Sequence, residues 1–352
     1  MVEIQENVSL LPYNTFQIEA KARYFAEINR KEELFWLFAQ KEAAYSTLPL
    51  VVLGGGSNLL LAKKAQANET VVYPNLFLKM NILGKEILTQ DEDSVLVRVG
   101  AGENWHHFVE FAVEQGWAGI ENLALIYGTV GAAPLQNIGA YGVEIKETLV
   151  EVEAFEIESQ KVKCFSNQDC QFGYRDSIFK REAKGKYLIL SVVFRLHKKP
   201  NFRLEYGAIQ EELKKENQSD PDSLTLKAVS QAVMRIRNSK LPNPAEIGNG
   251  GSFFKNPEIS QEVFQKIIKK FPDLVSYPTE NGRKVAAGWL IEQAGWKGKR
   301  VGQVGTYPKQ ALILVNWGGA KGADIWEFAT QIQKAVFEKF EIWLEPEINV
   351  LT

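Results

Sequence analysis

Residues 128–142 read GTVGAAPLQNIGAYG, and how this stretch is read decides the fold. Within fifteen residues it holds four glycines, three alanines and one proline. Its only bulky groups are Val130, Leu135, Ile138 and Tyr141, so no regular helix or strand period fits it. Glycine serves where something must come close to main-chain N–H groups, and consecutive N–H groups form a concave nest for anions such as phosphate. An ordinary connecting loop is richer in Asp, Ser and Lys. Small apolar residues with isolated amides, Gln136 and Asn137, read instead as the lining of a ligand cradle.

Upstream, residues 48–53 (LPLVVL) read as a buried strand that runs into Gly54, Gly55, Gly56, Ser57 and Asn58, where backbone amides can meet a pyrophosphate. The following NLLLAKKAQANE has no helical face and no G-x-G-x-x-G, so a nucleotide is not held in the Rossmann manner. A helix is expected from Lys31, a strand over Val95–Val99, and a helix carrying Trp105, Phe108, Val109, Ala112 and Val113 that stops at Gly116. Downstream, strands are expected over Leu149–Ile157 and Tyr187–Leu196. Between them FGYRDSIFKRE places Arg175 beside Asp176, either as a surface ion pair or as a guanidinium clamp for a carboxylate or phosphate.

The polar run ENQSDPDS at 216–223 reads as a domain junction. Beyond it, Val229, Val233 and Ile236 mark one face of a helix that also carries Arg237, with Lys240 following. GNGGSFFKNP at 248–257 reads as a second glycine-dense loop around one hydroxyl, Ser252; without a neighbouring histidine or a G-x-S-x-G motif, this is not a hydrolase nucleophile. Phe264, Ile267, Ile268 and Phe271 form an amphipathic helix capped by Ser260, and a short helix over Ala286–Gly295 and a strand over Leu312–Val315 follow. Asp324 with Glu327 is expected to open the last helix as a capping box, its inner face Ile325, Phe328, Ala329, Ile332 and Val336. Alternation puts Glu345 and Glu347 on one face of a final extended segment.

The 352 residues suggest two or three domains, and 45% hydrophobic with 24% charged residues is ordinary for a soluble globular protein. Forty-one basic against 43 acidic residues leave no global grip on nucleic acid. Cys164 and Cys170 alone build neither a zinc cluster nor a disulfide scaffold, and three histidines, His106, His107 and His197, argue against metal catalysis and histidine-centred hydrolysis. With no leader-like N-terminus and no membrane-length apolar run, a cytoplasmic protein is expected.

GGGSNLLL, GTVGAAPLQNIGAYGVEI, GYRDSIFK, GNGGSFFKNP, AAGWLIEQAGWKG and WLEPE occur in that order across nearly the whole chain. Together they closely resemble the UDP-N-acetylenolpyruvoylglucosamine reductase family, flavoenzymes that make UDP-N-acetylmuramate for peptidoglycan. RLEYGAI with Tyr206 and VSYPTENG with Tyr277 resemble insertions of its longer type I subtype. The chain departs from the family's PGTVG by having Tyr127 before Gly128, which changes local stiffness.

The resemblance implies an α+β protein with the vanillyl-alcohol-oxidase type of FAD-binding fold. It implies a first FAD-binding subdomain at 1–70 completed by 341–352, a second at 71–222, and a substrate-binding domain at 223–340. By matched motif positions, non-covalent FAD is held by Gly54, Gly55, Gly56, Ser57, Asn58, Gln136, Asn137, Gly139, Ala140 and Arg237. Arg175, Ser252 and Glu347 are the implied catalytic residues. Tyr141, Tyr174, Tyr206, Lys240, Asn256, Tyr277, Lys297 and Gln310 are the implied substrate positions, with NADPH as co-substrate and no partner chain. Two rival readings are another flavin oxidoreductase of this fold acting on an alcohol or sugar acid, and a non-catalytic nucleotide-sugar binder in which Arg175 and Glu347 are structural.

Overall fold

Strand Tyr187–His197 occupies the middle of an antiparallel five-stranded sheet, in the order Lys161–Ser166, Leu149–Glu156, Tyr187–His197, Ser94–Gly100 and Lys85–Gln90. The computed structural model describes residues 2–40, 42–64, 69–216 and 223–352. The chain forms two compact units: Met1–Val8, Ala22–Gly55 and Val72–Ser239 in unit 1, and Ser9–Lys21, Gly56–Val71 and Lys240–Thr352 in unit 2.

The nearly unbroken apolar run of Tyr187–His197 has a physical reason, because the strand is buried on both faces. Leu188 and Leu190 pack with Ile28, Leu34 and Leu78, whereas Ile189, Val192, Phe194 and Leu196 pack with Val97, Phe108 and Val152. Residue parity changes across Leu190, where the register slips: Glu153 pairs with Ser191, but Ala154 pairs with Ile189. One extra residue in a strand turns every later side chain to the other face.

A second sheet of unit 1 has the order Gln5–Ser9, Lys21–Ile28, Val72–Met80 and Leu50–Leu53, the last pair parallel. Leu50–Leu53 was expected to be buried. It is an edge strand in which Leu53 is buried and Val52 is 46% exposed. Helix α1, Lys31–Ala39, buries Leu34 and Leu37 against Ile28 and Leu78, and Asn104 caps α2, Trp105–Glu114, by accepting from His107 N at 3.0 Å. Helices α3, Gly207–Lys215, and α4, Leu226–Lys240, place Ile209, Leu213, Ala232, Val233 and Ile236 in the same core as Val97 and Phe108. The greater part of α4 therefore groups with unit 1, although the sequence reading put this helix in the substrate domain. In the expected junction at 216–223, residues 217–222 lie outside the described residues.

In unit 2 a four-stranded sheet has the order Gly248–Ser252, Gln310–Asn316, Val304–Tyr307 and Arg300–Val301. The expected loop at 248–257 thus begins as a strand, paired with Gln310–Asn316. A three-stranded sheet of Glu258–Ile259, Gly282–Val285 and Ser276–Thr279 lies with helix α5, Gln261–Lys270, which Ser260 caps as expected. Helix α6 spans Ala287–Gln293 and α7 spans Gly322–Phe340. The start of α7 corrects the sequence reading: Lys321 is the N-cap, and Asp324 is the third helical residue, accepting from Lys321 N at 3.2 Å. Its expected inner face is buried, each large apolar side chain contributing about 1.5–3 kcal/mol. Leu59–Leu61 pairs in parallel with Asn349–Leu351.

Candidate active site

In unit 1 the stretch 128–142 is not free of regular structure, as its composition suggested. Val130–Leu135 forms a 3-10 helix, and Gly139–Ala140 pairs with Val143–Glu144 in a hairpin. Its turn residues Tyr141 and Gly142 have φ of 50° and 82°, the two positive values a type I′ turn needs. The segment is pinned from behind: Trp105 N donates to Gly128 O at 3.1 Å, Val130 N to Glu103 O at 2.9 Å, and Gly131 N to Ala101 O at 2.9 Å. The first glycine run presses against it. A Cβ on Gly54 would lie 2.5 Å from Thr129 Oγ1, and one on Gly55 would lie 2.8 Å from Gly128 Cα. Lys79, which the sequence reading missed, donates to Gly54 O at 2.6 Å, and burial lowers its pKa against the raising effect of Glu27. The signal was a lysine inside the apolar strand run LFLKM.

Asn137 is fully buried. Its Nδ2 donates to Glu144 Oε2 and Gly173 O, both at 3.0 Å, and its Oδ1 accepts from Lys146 N at 3.2 Å. This side chain ties the hairpin to the segment that carries Arg175. Gln136 and Ala140 flank it in the chain, Gln136 at the C-cap of the 3-10 helix and Ala140 in the hairpin. Arg175 Nη2 donates to Gly139 O at 2.6 Å, and a Cβ on Gly139 would lie 3.2 Å from Arg175 Nη1. Asp176, the neighbour of Arg175 in the chain, pairs with Arg181. Arg175 has φ of 53°, and its guanidinium carbon lies 5.5 Å from the Tyr174 ring centroid.

Arg237 of α4 donates through Nε to Leu125 O at 3.1 Å. Burial lowers its pKa, the phenols of Tyr141 and Tyr127 favour its charge, and Arg175 opposes it. Burial raises the pKa of Tyr141, and Arg237 lowers it. Arg237, Arg175, Tyr141 and Tyr127 are thus one electrostatic group. Tyr206 stands edge-on to Tyr141 with ring centroids 5.5 Å apart. Asn122 was also missed; its Nδ2 donates to Tyr141 O at 3.0 Å and to Arg203 O at 2.9 Å. Glycine backbones without room for a methyl group, beside two guanidinium groups and phenols, fit a nucleotide cofactor with a pyrophosphate.

In unit 2 Gly56 has φ of 65°, and a Cβ there would lie 2.0 Å from Tyr13 O. Asn58 O accepts from Asn349 N at 3.1 Å, and Ser57 lies between these residues. Ser252 is exposed and ends strand Gly248–Ser252. The pairing slips between Asn249 and Ser252, a bulge that re-aims the hydroxyl. Buried Asn249 shapes this bulge: Oδ1 accepts from Gly251 N at 3.0 Å, and Nδ2 donates to Pro242 O at 3.2 Å and Ile247 O at 2.9 Å. Phe253 and Phe254 are fully buried behind Ser252.

Residues 345–347 run antiparallel to 253–255: Lys255 N donates to Glu345 O at 2.9 Å, and Glu347 N to Phe253 O at 2.8 Å. Pro346 sits opposite Phe254, where its missing N–H costs no ladder bond. The carboxylates that alternation put together differ in environment. The Glu345 side chain is 71% exposed and pairs with Lys255 at 3.5 Å, whereas Glu347 is half-buried.

The other implied substrate positions divide. Asn256 Oδ1 accepts from Ala287 N at 2.9 Å and so caps α6. Gln310 Oε1 accepts from Leu312 N at 3.3 Å, and Lys297 pairs with Glu292 at 2.9 Å. Tyr277 is 53% exposed and Lys240 is exposed at the end of α4.

Residues 243–351 match the family described as UDP-N-acetylenolpyruvoylglucosamine reductase, C-terminal domain, and residues 38–163 match the FAD binding domain family. A UDP-N-acetylenolpyruvoylglucosamine reductase of Flavobacterium johnsoniae is 48% identical over 352 residues, spanning 99% of this chain and 100% of the relative. The enzyme of that name from Pseudomonas aeruginosa is 46% identical over 350 residues, spanning 99% of each. The crystal structure of UDP-N-acetylenolpyruvylglucosamine reductase from Thermus caldophilus superposes with a TM-score of 0.66 over 100% of this chain and 99% of that one; at 24% identity this is a likeness of fold.

Proposed function

The chain belongs to the UDP-N-acetylenolpyruvoylglucosamine reductase family, and from that premise we propose that it reduces UDP-N-acetylenolpyruvoylglucosamine to UDP-N-acetylmuramate, using NADPH and non-covalently bound FAD, in peptidoglycan precursor synthesis. The observation that carries this reading is the full-length likeness, at nearly half identity, to reductases of that name.

Gly54, Gly55, Gly56, Ser57, Asn58 and Gly139, with Gln136, Ala140 and Arg237, would hold FAD, and Asn137 would join them while keeping the loop in shape. FAD held there would supply the redox chemistry, a hydride transfer between NADPH and the terminal carbon of the enolpyruvyl double bond. The negative charge that develops on the substrate's acid needs a fixed cation. Arg175, oriented by its bond to Gly139 O, has the planar fork that suits a carboxylate. Ser252 gives a proton to the carbon next to the carboxylate, its hydroxyl aimed by the bulge that Asn249 shapes. Glu347 stabilises the enediolate or shares a proton with it. Tyr141, Tyr174 and Tyr206 with Lys240, Asn256, Tyr277, Lys297 and Gln310 recognise the UDP-sugar. Asn256 and Gln310 do so while also bonding to backbone N–H groups.

We place the protein in the cytoplasm as a monomer that acts on small molecules rather than on nucleic acid or membrane. We also retain the division into two FAD-binding subdomains and a substrate domain as a division by ligand. The near balance of 41 basic and 43 acidic residues supports the small-molecule reading. Among the described residues no helix is long and apolar enough to cross a membrane.

Anaerobic stopped-flow absorbance at the flavin band tests the function, with NADPH mixed first and UDP-N-acetylenolpyruvoylglucosamine second. Bleaching followed by rapid recovery is expected. Recovery only on admitting oxygen would refute the assignment and point to another flavin oxidoreductase.

A further inference from the structure

Leu125 is a branched, non-glycine residue at φ of 58°, three residues before the cradle begins at Gly128. Left-handed backbone is costly for such a side chain and persists only where the surroundings over-determine it. Here both polar groups of Leu125 are held from opposite sides. His106 Nδ1 accepts its N–H at 3.1 Å, and Arg237 Nε donates to its carbonyl at 3.1 Å. Adjacent Trp105 grips the same segment twice, its indole N–H on Leu123 O at 3.0 Å and its backbone N–H on Gly128 O at 3.1 Å. The opening turn of α2 is thus a clamp on residues 123–128.

We propose that His106 is a positioning residue for the flavin site: through its unprotonated Nδ1 it holds Leu125, and with it the Arg237 contact and the entrance to the glycine cradle. This rests on the proposed reading that the cradle and Arg237 hold FAD.

The acceptor role fixes the tautomer. With the proton on Nε2, the ring faces Glu110 Oε1 at 3.6 Å and leaves Nδ1 open to the Leu125 N–H. A second proton would set two N–H groups against each other. The groups around His106 are Glu110 and His107 on its own helix and Arg237 on α4. Burial holds the imidazole below its ordinary value of 6.5; Glu110 opposes this, and His107 and Arg237 reinforce it. With the clamp open, the freed imidazole of His106 therefore takes up the proton first as pH falls through about 6.5, and the clamp is complete above that pH and weakens below it.

Two measurements on the full-length protein separate the clamp from the flavin reading: hydrogen exchange of the 123–128 amides, and FAD affinity of the apoprotein by flavin fluorescence quenching from pH 5.5 to 7.5. Loss of one such bond is expected to weaken FAD binding about tenfold. His106→Ala should speed exchange over 123–128 and bind FAD about tenfold more weakly at pH 7.5. His106→Asn, whose Oδ1 can take the place of Nδ1 and does not titrate, should bind as the parent does at pH 7.5 and lose the parent's weakening toward pH 5.5. Unchanged exchange in His106→Ala, or a His106→Asn variant that titrates like the parent, overturns the clamp. Faster exchange with unaltered FAD affinity overturns the proposal at the cradle reading beneath it, and an Arg237→Gln variant that also keeps its FAD affinity would locate the failure there.

Discussion

Asn249→Ala tests the link between the fold of unit 2 and the aim of Ser252. Asn249 is 4% exposed and makes three side-chain hydrogen bonds, to Gly251 N, Pro242 O and Ile247 O. At about 0.5–1.5 kcal/mol net for each, their loss sums to about 3 kcal/mol, or roughly a hundredfold in the folded-to-unfolded ratio. The backbone bonds survive the change, Asn249 N to Thr15 O at 2.9 Å and Thr15 Oγ1 to Asn249 O at 2.6 Å, so the damage is confined to the bulge. Urea titration should show a lower midpoint at unchanged slope. In stopped flow, reduction by NADPH should be kept while reoxidation by substrate slows. Asn249→Asp sharpens the test. It keeps the acceptor for Gly251 N–H but turns a carboxylate oxygen toward the carbonyls of Pro242 and Ile247. It should be less stable than Asn249→Ala at pH 7. That added deficit should shrink as pH falls, because the folded state favours the protonated acid, which can donate once. A loss below about 1 kcal/mol in Asn249→Ala, or equal stability of the two variants at pH 7, would refute the reasoning.

Ser252→Ala should leave flavin reduction by NADPH nearly intact and slow reoxidation by substrate by several orders of magnitude; equal loss in both half-reactions would make Ser252 positional. Glu347→Gln should impair reoxidation far more than substrate affinity, whereas Glu345→Gln, changing an exposed partner of Lys255, should alter turnover less than about twofold. Gly139→Ala should weaken the Arg175 clamp, seen as a raised KM and a lowered kcat, because its Cβ meets Val143 O at 2.8 Å; Gly142→Asn should be tolerated, since Gly142 lies at φ of 82° with nothing within 4 Å of an added Cβ. Exposed Cys164 should react with a thiol reagent in the native protein, while Cys170, whose thiol burial pushes up to about 12, should react only on unfolding.

Periodic elements were legible because their signal is local. The apolar faces of α2, α4, α5 and α7 repeat at helical spacing, and the structure buries Phe108, Val233, Ile267 and Ile332 as that spacing requires. What was missed depends on partners distant in sequence. Gly248–Ser252 has almost no side chains with which to announce a strand, and it becomes one only by pairing with residues some sixty positions later. The slip at Leu190 is set by which residue of Leu149–Glu156 lies opposite, so an apolar run shows burial on two faces but not where the faces exchange. At the start of α7 the sequence offers Asp324 with Glu327, but the helix begins earlier and uses Asp324 itself as the third residue. Amides were the hardest to read. Asn137 was picked out as an isolated amide among small residues and Asn256 only as a position the resemblance implies, and composition alone does not reveal that their partners include backbone groups.

The glycines of the cradle serve two different physical needs, which residue counts merge. At Gly54, Gly55 and Gly131 the need is space: a Cβ at Gly131 would lie 2.6 Å from the Ala101 methyl group, so unit 1 brings these backbones together with no room for a side chain. At Gly142 the need is conformational, a positive φ in a hairpin turn with open space around it. The first kind fixes where the backbone lies, since it is wedged between Ala101, Trp105 and the opposing glycine run. The second fixes how tightly the hairpin turns, and so where Gly139 O meets Arg175. A loop built this way is held despite its composition: Ala101, Glu103 and the first turn of α2 fix its backbone from behind, and of its own side chains Asn137 ties it to the segment that carries Arg175. Recognition then resides in the positions of backbone atoms, which explains how a stretch with almost no functional groups of its own can organise the site around it.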